Sequence, residues 1–318
     1  MKSFSIRQLS IAIGILTALA LPLASCSSTN GGSDPGSASN STTDVPENAV
    51  QVGVLVNQDI EFARQRYGGI VEHLSEQIGR PFVLVPLAYE SQFLEVERGT
   101  VDFIISNPLA SVQMRRLYST ELIATQALPG TGTEFSGLII VKSDSNIRQV
   151  PDLKGKKGAC VSLETGAGGC LFQILYTQEK GLDPYLDFAS LQEIPSQNNI
   201  VLAVINGDVD FGFIRTGQLE GMVESGLISD INQVRVLDPR NDGFVYEHTT
   251  PLYPTWAVSA TSSAQPAIVE TVTQALLDLT PDSPALTDAN IEGFVAAVDY
   301  TQIDQLIEEL RLKSWDAQ

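Results

Sequence analysis

Short runs rich in valine, isoleucine and phenylalanine recur along this chain with helical patterns between them, and that alternation limits the fold more than any other feature. The runs are "QVGVLV" (51–56), "PFVLVPL" (81–87), "VDFIIS" (101–106), "GLIIVK" (137–142), "GACVS" (158–162), "VDFGFI" (209–214) and "VRVLD" (234–238). Between them Phe62, Ile70, Val71, Leu74 and Ile78 repeat at helical spacing, as do the stretches 167–180 and 199–206. Strands alternating with helices predict an α/β fold with mostly parallel, buried strands. At 318 residues and 43% hydrophobic content the chain can bury one or two ordinary cores.

The first residues predict export. "MKSFSIRQLS" supplies Lys2 and Arg7, residues 11–24 are apolar, and "LASC" follows at 23–26. "LASC" resembles the bacterial lipobox, which implies a signal peptide of 1–25, cleavage before Cys26 and lipid on that cysteine. The stretch 26–48 is rich in Ser, Gly, Thr and Asn and reads as a flexible tether, so the fold begins near residue 49. The apolar stretch is shorter than the roughly 20 residues a spanning helix needs, so membrane contact through lipid alone is expected, facing the periplasm or cell exterior. Cleavage would remove Lys2 and Arg7 but no acid, leaving 17 of 19 basic residues against 38 acidic ones, a net charge of −21. Such a charge repels nucleic acid, and that class of partner is set aside. With Cys26 lipidated, Cys160 and Cys170 remain as an even pair in an oxidising compartment, and the sequence leaves open a disulfide or two buried thiols.

Two segments look alike. "LEVERGTVDFIISNPLA" (94–110) and "LAVINGDVDFGFIRTGQLE" (202–220) each run helix, Gly turn, Val-Asp-Phe strand, then a polar tripeptide opening a new helix. Paired α/β halves suggest two lobes with a ligand cleft between them, and ligands of open α/β sheets bind beyond the carboxyl ends of strands. That rule selects Ser106-Asn107 and Arg215-Thr216. An anion taken out of water needs backbone N–H groups, hydroxyls or a guanidinium, and both junctions can offer them. Ser106 and Asn107 also fit a plain N-cap before Pro108, and Arg215 also fits a surface ion pair with Glu220. "SLETGAGGC" (162–170) adds Ser162, Thr165, Gly166 and Ala167 before a helix, a geometry for close backbone approach to an oxyanion. It is not a dinucleotide fingerprint, because Leu171 stands where a third glycine is needed. Glu164 beside it would repel an anion unless it points away. Asn57 and Gln58, ending the first strand, read equally as site or turn. Two histidines, no H-E-x-x-H and no G-x-S-x-G argue for a binding protein rather than an enzyme, with no cofactor or metal.

"SNPLASV" (106–112), "EFSGLIIVKSDSNIRQVPDLKGKK" (134–157), the stretch 164–184, "AVINGDVDFGFIRTGQLEGM" (203–222) and "TTPLYPTW" (249–256) carry a resemblance. Together they resemble the phosphate/phosphite/phosphonate-type periplasmic binding proteins, a family that also serves as the sensor domain of some histidine kinases. The resemblance implies a bilobal type II periplasmic-binding fold with two crossover segments, placed near 138–143 and 245–252. One lobe would then be 49–141 plus 248–318, and the other 142–247. It further implies site roles for Ser136 before the first crossover, for Tyr89 after the second strand, and for Thr249 beside His248 on the second crossover. Tyr253 and Trp256 would wall the cleft or pack the hinge. The implied ligand is a small oxyanion, and the implied partner is an ABC permease or, in the alternative, a sensor kinase. A monomer is expected. Sensor members continue into a transmembrane helix and kinase; the sequence reaches Gln318 with neither, so output is expected to pass through another protein.

Overall fold

A computed structural model describes residues 48–56 and 59–312. The expected signal peptide, Cys26, Asn57, Gln58 and all of the expected tether except its last residue lie outside them. The chain opens with β1 (Val50–Leu55), α1 (Ile60–Ile78), β2 (Phe82–Leu87), α2 (Tyr89–Arg98), β3 (Phe103–Ser106), α3 (Pro108–Tyr118) and β4 (Glu121–Ala127). Asp59 starts α1 by accepting from the Phe62 amide at 2.7 Å, and Gly79 ends it in the left-handed region. After β5 (Glu134–Phe135) come β6 (Gly137–Lys142), β7 (Lys157–Cys160), α4 (Phe172–Glu179), α5 (Pro184–Asp187), β8 (Ser190–Glu193), α6 (Gln197–Asn206), β9 (Phe211–Arg215), α7 (Gln218–Glu224) and β10 (Val234–Val236). The return runs through β11 (Tyr253–Pro254), β12 (Ala257–Ala260), α8 (Pro266–Leu277), α9 (Pro284–Thr287), β13 (Gly293–Ala296) and α10 (Thr301–Leu310). No helix among the described residues is long and apolar enough to cross a membrane.

Two mixed sheets result, ordered β13-β4-β12-β3-β1-β2 and β10-β6-β9-β7-β8, and β5 pairs with β11 on the segments that join them. Each sheet with its helices is a lobe. The expectation of mostly parallel strands holds for only part of each sheet: β1 with β2 and β3, and β7 with β8 and β9. The rest is antiparallel, for a topological reason. β6 and β12 arrive from the other lobe and must start at the joining segments, where β9, β3 and β4 end, while β13 follows α9 within its own lobe and also starts there, antiparallel to β4. Thus Ala257, opening β12, pairs with Ser106, which closes β3. Likewise Gly137, opening β6, pairs with Arg215, which closes β9. The first crossing therefore occupies residues 128–136 rather than 138–143. "GLIIVK" is an interior strand between β9 and β10, with Leu138 to Val141 buried. The second crossing centres on β11, a few residues after the expected 245–252.

Apolar packing crosses the lobe boundary. Leu109 and Val112 of α3 and Ile303 and Leu306 of α10 share one core with Phe172 and Leu175 of α4 and with Phe211 and Phe213 of β9. Phe172 stacks on Tyr253 at a centroid distance of 3.6 Å. Beside this core Arg115 and Arg116 of α3 pair with Asp304 of α10, and Arg116 also reaches Glu308 at 2.8 Å. A disulfide joins Cys160 at the end of β7 to Cys170 in a π-helical turn, Ala167–Leu171, which feeds α4.

Candidate ligand-binding cleft

Where strands end and the chain crosses, a cavity of about 430 Å³ opens between the two sheets. That volume lies within the range of small-molecule sites. The first sheet and its helices contribute Arg66, Gln126, Thr255, Trp256 and Asn290, and the second contributes Arg215, Thr216, Glu220, Glu224 and Tyr246. The joining segment adds Leu128, Pro129, Thr131 and Phe135.

The floor is ordered by its own hydrogen bonds. Trp256 stacks on buried Tyr67 at 6.3 Å and 17°, and the Arg66 guanidinium carbon lies 5.4 Å from the same Tyr67 ring. Burial pushes the Tyr67 phenol above its ordinary range, so it remains a neutral hydrogen-bonding group. Arg215 is held at both ends: its amide donates to Gln197 Oε1 at 2.8 Å, and its Nη1 donates to the Thr216 carbonyl at 3.0 Å. Protein atoms crowd this guanidinium while its surface stays open to the cavity. Burial and, secondarily, Arg66 lower its pKa, and Tyr246 and Glu220 work in the opposite direction. It stays charged, because a delocalised guanidinium does not lose its proton in proteins. The Thr216 hydroxyl accepts from the Ser136 amide at 3.1 Å, leaving its proton for an acceptor in the cavity.

The chain matches the family model for the phosphonate periplasmic substrate-binding proteins of ABC transporters over residues 52–301. It belongs to that family. Among relatives, the tetrathionate sensor histidine kinase TtrS of Salmonella typhimurium is 25% identical over 265 residues, which is 82% of this chain and 43% of the kinase. The chain thus spans less than half of that relative's length. Among solved structures, PhnD1 of Prochlorococcus marinus in complex with methylphosphonate superposes with a TM-score of 0.67 at 15% identity, covering 83% of this chain and 99% of that one. A binding protein component of an ABC phosphonate transporter from Pseudomonas aeruginosa gives 0.63 at 17% identity, covering 84% and 85%. The architecture is the two-lobed type II periplasmic-binding fold.

Within this family fold, Arg215 and Thr216 are the sequence-derived site residues that line the cavity. Glu220 lines it too, but it lies beyond ion-pair distance of Arg215, so the surface-pair alternative does not describe this arginine. Ser136 and Thr249 bond elsewhere instead. Ser136 Oγ is buried within 2.9 Å of the Thr250 carbonyl, 3.0 Å of the Pro251 carbonyl and 3.1 Å of His248 Nδ1. Thr249 Oγ1 donates to the Leu237 carbonyl at 2.8 Å and accepts from the Ile139 amide at 3.1 Å. The Ser136 hydroxyl ties the two joining segments together, whereas the Thr249 hydroxyl bonds within the second lobe, and both are spent there. Tyr89 opens α2, donates to Gln113 Oε1 at 2.6 Å and packs on Phe93, away from the cavity. Asn107 is the N-cap of α3, accepting from the Ala110 amide at 2.9 Å. Ser106 is fully buried, and its hydroxyl has no hydrogen-bond partner among the described residues.

The 162–170 loop adjoins the cleft without lining it. Ser162 Oγ accepts from the Glu164 and Thr165 amides, and the Gly166 amide donates to the Ser162 carbonyl, which curls the loop on itself. Ala167 is buried at the head of the π turn. The loop touches the site through Gly168, where an added Cβ would fall 2.5 Å from the Phe135 ring and 3.4 Å from Arg215 Cβ. Glu164 is exposed and outside the cavity lining, so it does not oppose an anion there. Sequence reasoning missed Arg66, Gln126 and Tyr246. Trp256, expected to wall the cleft or pack the hinge, walls the cleft.

Proposed function

We propose that this protein is the lipid-anchored solute-binding component of an ABC importer and takes a small oxyanion of the phosphate, phosphite or phosphonate kind into the cleft between its lobes. The observation that carries this reading is Arg215. A cation closes a buried strand, opens onto a cavity of about 430 Å³, and has no carboxylate within ion-pair distance among the described residues. A guanidinium so placed offers planar, charge-assisted donors to oxyanion oxygens. The Thr216 hydroxyl supplies a neutral donor beside it. A phosphorus oxyanion accords with the family's description and with the methylphosphonate held by the Prochlorococcus protein. Attachment through Cys26 rests on the lipobox resemblance.

A second reading is favoured by the sensor-kinase relative. Here the same cleft takes a sulfur or phosphorus oxyanion, and the closed form docks on a sensor kinase instead of a permease. Calorimetry and thermal shift against phosphate, phosphite, methylphosphonate, thiosulfate and tetrathionate test both readings. A ligand at 100 times its dissociation constant should add about 2.7 kcal/mol of stability. Preference for a phosphorus anion supports import, preference for a sulfur anion supports sensing, and no stabilisation by any of them overturns the oxyanion site.

A further inference from the structure

Arg66 and Arg215 reach the same cavity from different lobes. Arg66 stands on α1, which packs on the first sheet, and Arg215 ends β9 in the second. Each is fixed by one bond to a main-chain carbonyl on its own side: Arg66 Nε donates to Ala289 at 3.0 Å, and Arg215 Nη1 donates to Thr216 at 3.0 Å. A guanidinium carries five N–H donors, so most of each fork remains for another acceptor. Among the described residues no carboxylate lies within 4.0 Å of either one. Arg66 is also pinned over the Tyr67 ring, which itself stacks on Trp256, so its pose does not depend on a counter-ion.

We infer that Arg66 is the second anion-binding residue of the cleft, and that Arg66 and Arg215 are a like-charge pair across the two lobes whose bridging counter-ion is the ligand. This rests on the oxyanion reading above. Two cations facing one cavity repel, and Arg66 does lower the pKa of Arg215. An anion with oxygens on two sides converts that repulsion into two charge-assisted contacts, one per lobe, so it favours the closed arrangement by its differential affinity. Glu220 and Glu224, four residues apart on one face of α7, line the same cavity. They bring the charge of these four side chains to zero and disfavour polyanions, which leaves a compact mono- or dianion as the fitting class.

The test is calorimetric titration of wild type, Arg66→Ala, Arg66→Lys, Arg215→Ala and the double alanine variant with methylphosphonate, phosphite, phosphate and tetrathionate. Circular dichroism first establishes that each variant folds. For the tightest probe, Arg66→Ala should weaken binding by roughly 10- to 100-fold, and lysine should restore part of it. The double variant should lose less than the product of the single losses, because both residues meet one anion. The salt dependence of affinity should flatten in Arg66→Ala, a change that a purely structural role would not produce. Wild-type affinity in Arg66→Ala beside a weakened Arg215→Ala would overturn the bridging pair and leave the oxyanion site standing. Absence of binding by wild type to every probe would overturn both.

Discussion

Arg215 owes its position to the end of β9. Phe211 to Ile214 are buried between β6 and β7, and the next residue emerges where Gly137 begins the return strand, so its side chain meets the cavity. That much was legible in the sequence, because an apolar run ending in a cation and a Gly turn has few placements in an α/β sheet. Arg66 was not legible. In "IEFARQRYGG" it stands two residues after Arg64, and only the Ala289 carbonyl, 223 positions away, and the stacked Tyr67 and Trp256 single it out. Arg215→Ala should remove a charge-assisted contact worth about 1.5–3 kcal/mol, or roughly 10- to 150-fold in affinity, with little change in unfolding stability. Paired titration and denaturation check this, and wild-type affinity in the alanine variant would exclude Arg215 from the site. Gly166 gives the opposite pattern. A Cβ there would lie 2.7 Å from the Ser162 carbonyl oxygen and 3.0 Å from its nitrogen, so Gly166→Ala should cost about 1–3 kcal/mol of stability, read by urea denaturation.

The strands legible in the sequence were the continuous apolar ones, while β4, β8, β12 and β13 escaped notice. β12 reads Ala-Val-Ser-Ala, and β8 reads Ser-Leu-Gln-Glu on an exposed edge. Neither has the bulky β-branched run that marks a buried strand: β8 is held by pairing at the sheet edge, whereas β12 is a central strand whose Val258 and Ala260 pack into the core of the first lobe. The crossings were misplaced for the same reason: β5 and β11 are two residues each, too short for periodicity, and they exist because the lobes bring them together. The joining region depends on polar bonds that only the fold creates. His248 Nε2 lies 3.0 Å from Asp242 Oδ1, and that hydrogen bond holds the Asp242 carboxyl below the usual carboxylate range. A depressed carboxylate pKa means stability that is present above the unfolded value of about 3.9 and is lost as pH falls through the lower folded value. Asp242→Asn should therefore be less stable than wild type at pH 7, with the gap narrowing toward pH 3 in denaturant titrations; a gap that stays constant would assign the effect to packing. The disulfide closes a separation of 10 residues next to the Arg215 platform. Replacing Cys160 and Cys170 with Ala should cost about 2–3 kcal/mol by the loop-entropy estimate, measurable as a lower midpoint under non-reducing conditions.

At the scale of the whole molecule, the proposed binding and the proposed anchoring fall on different parts of the chain. Every side chain lining the cleft falls between Arg66 and Asn290, on the two sheets, their helices and the segments that join them. The two-lobed plan could be anticipated from the paired Val-Asp-Phe segments, but a core running through α3, α10 and α4 could not, because it requires the C-terminal helix to fold back across the lobe boundary. Cys26, by contrast, stands 40 positions ahead of the first cleft residue and outside the described fold. If lipid on that cysteine is the means of attachment, losing it should change location and nothing else. Cys26→Ala should move the protein from the membrane fraction to the soluble periplasmic or extracellular fraction, because none of its described helices can span a bilayer in place of the lipid. Calorimetry on the released protein should return the wild-type dissociation constant, since the described cleft lining begins at Arg66. Retention of the variant on membranes after a high-salt wash would rule out lipid on Cys26 as the anchor. Release accompanied by weakened binding would show instead that the N-terminal segment contributes to the site.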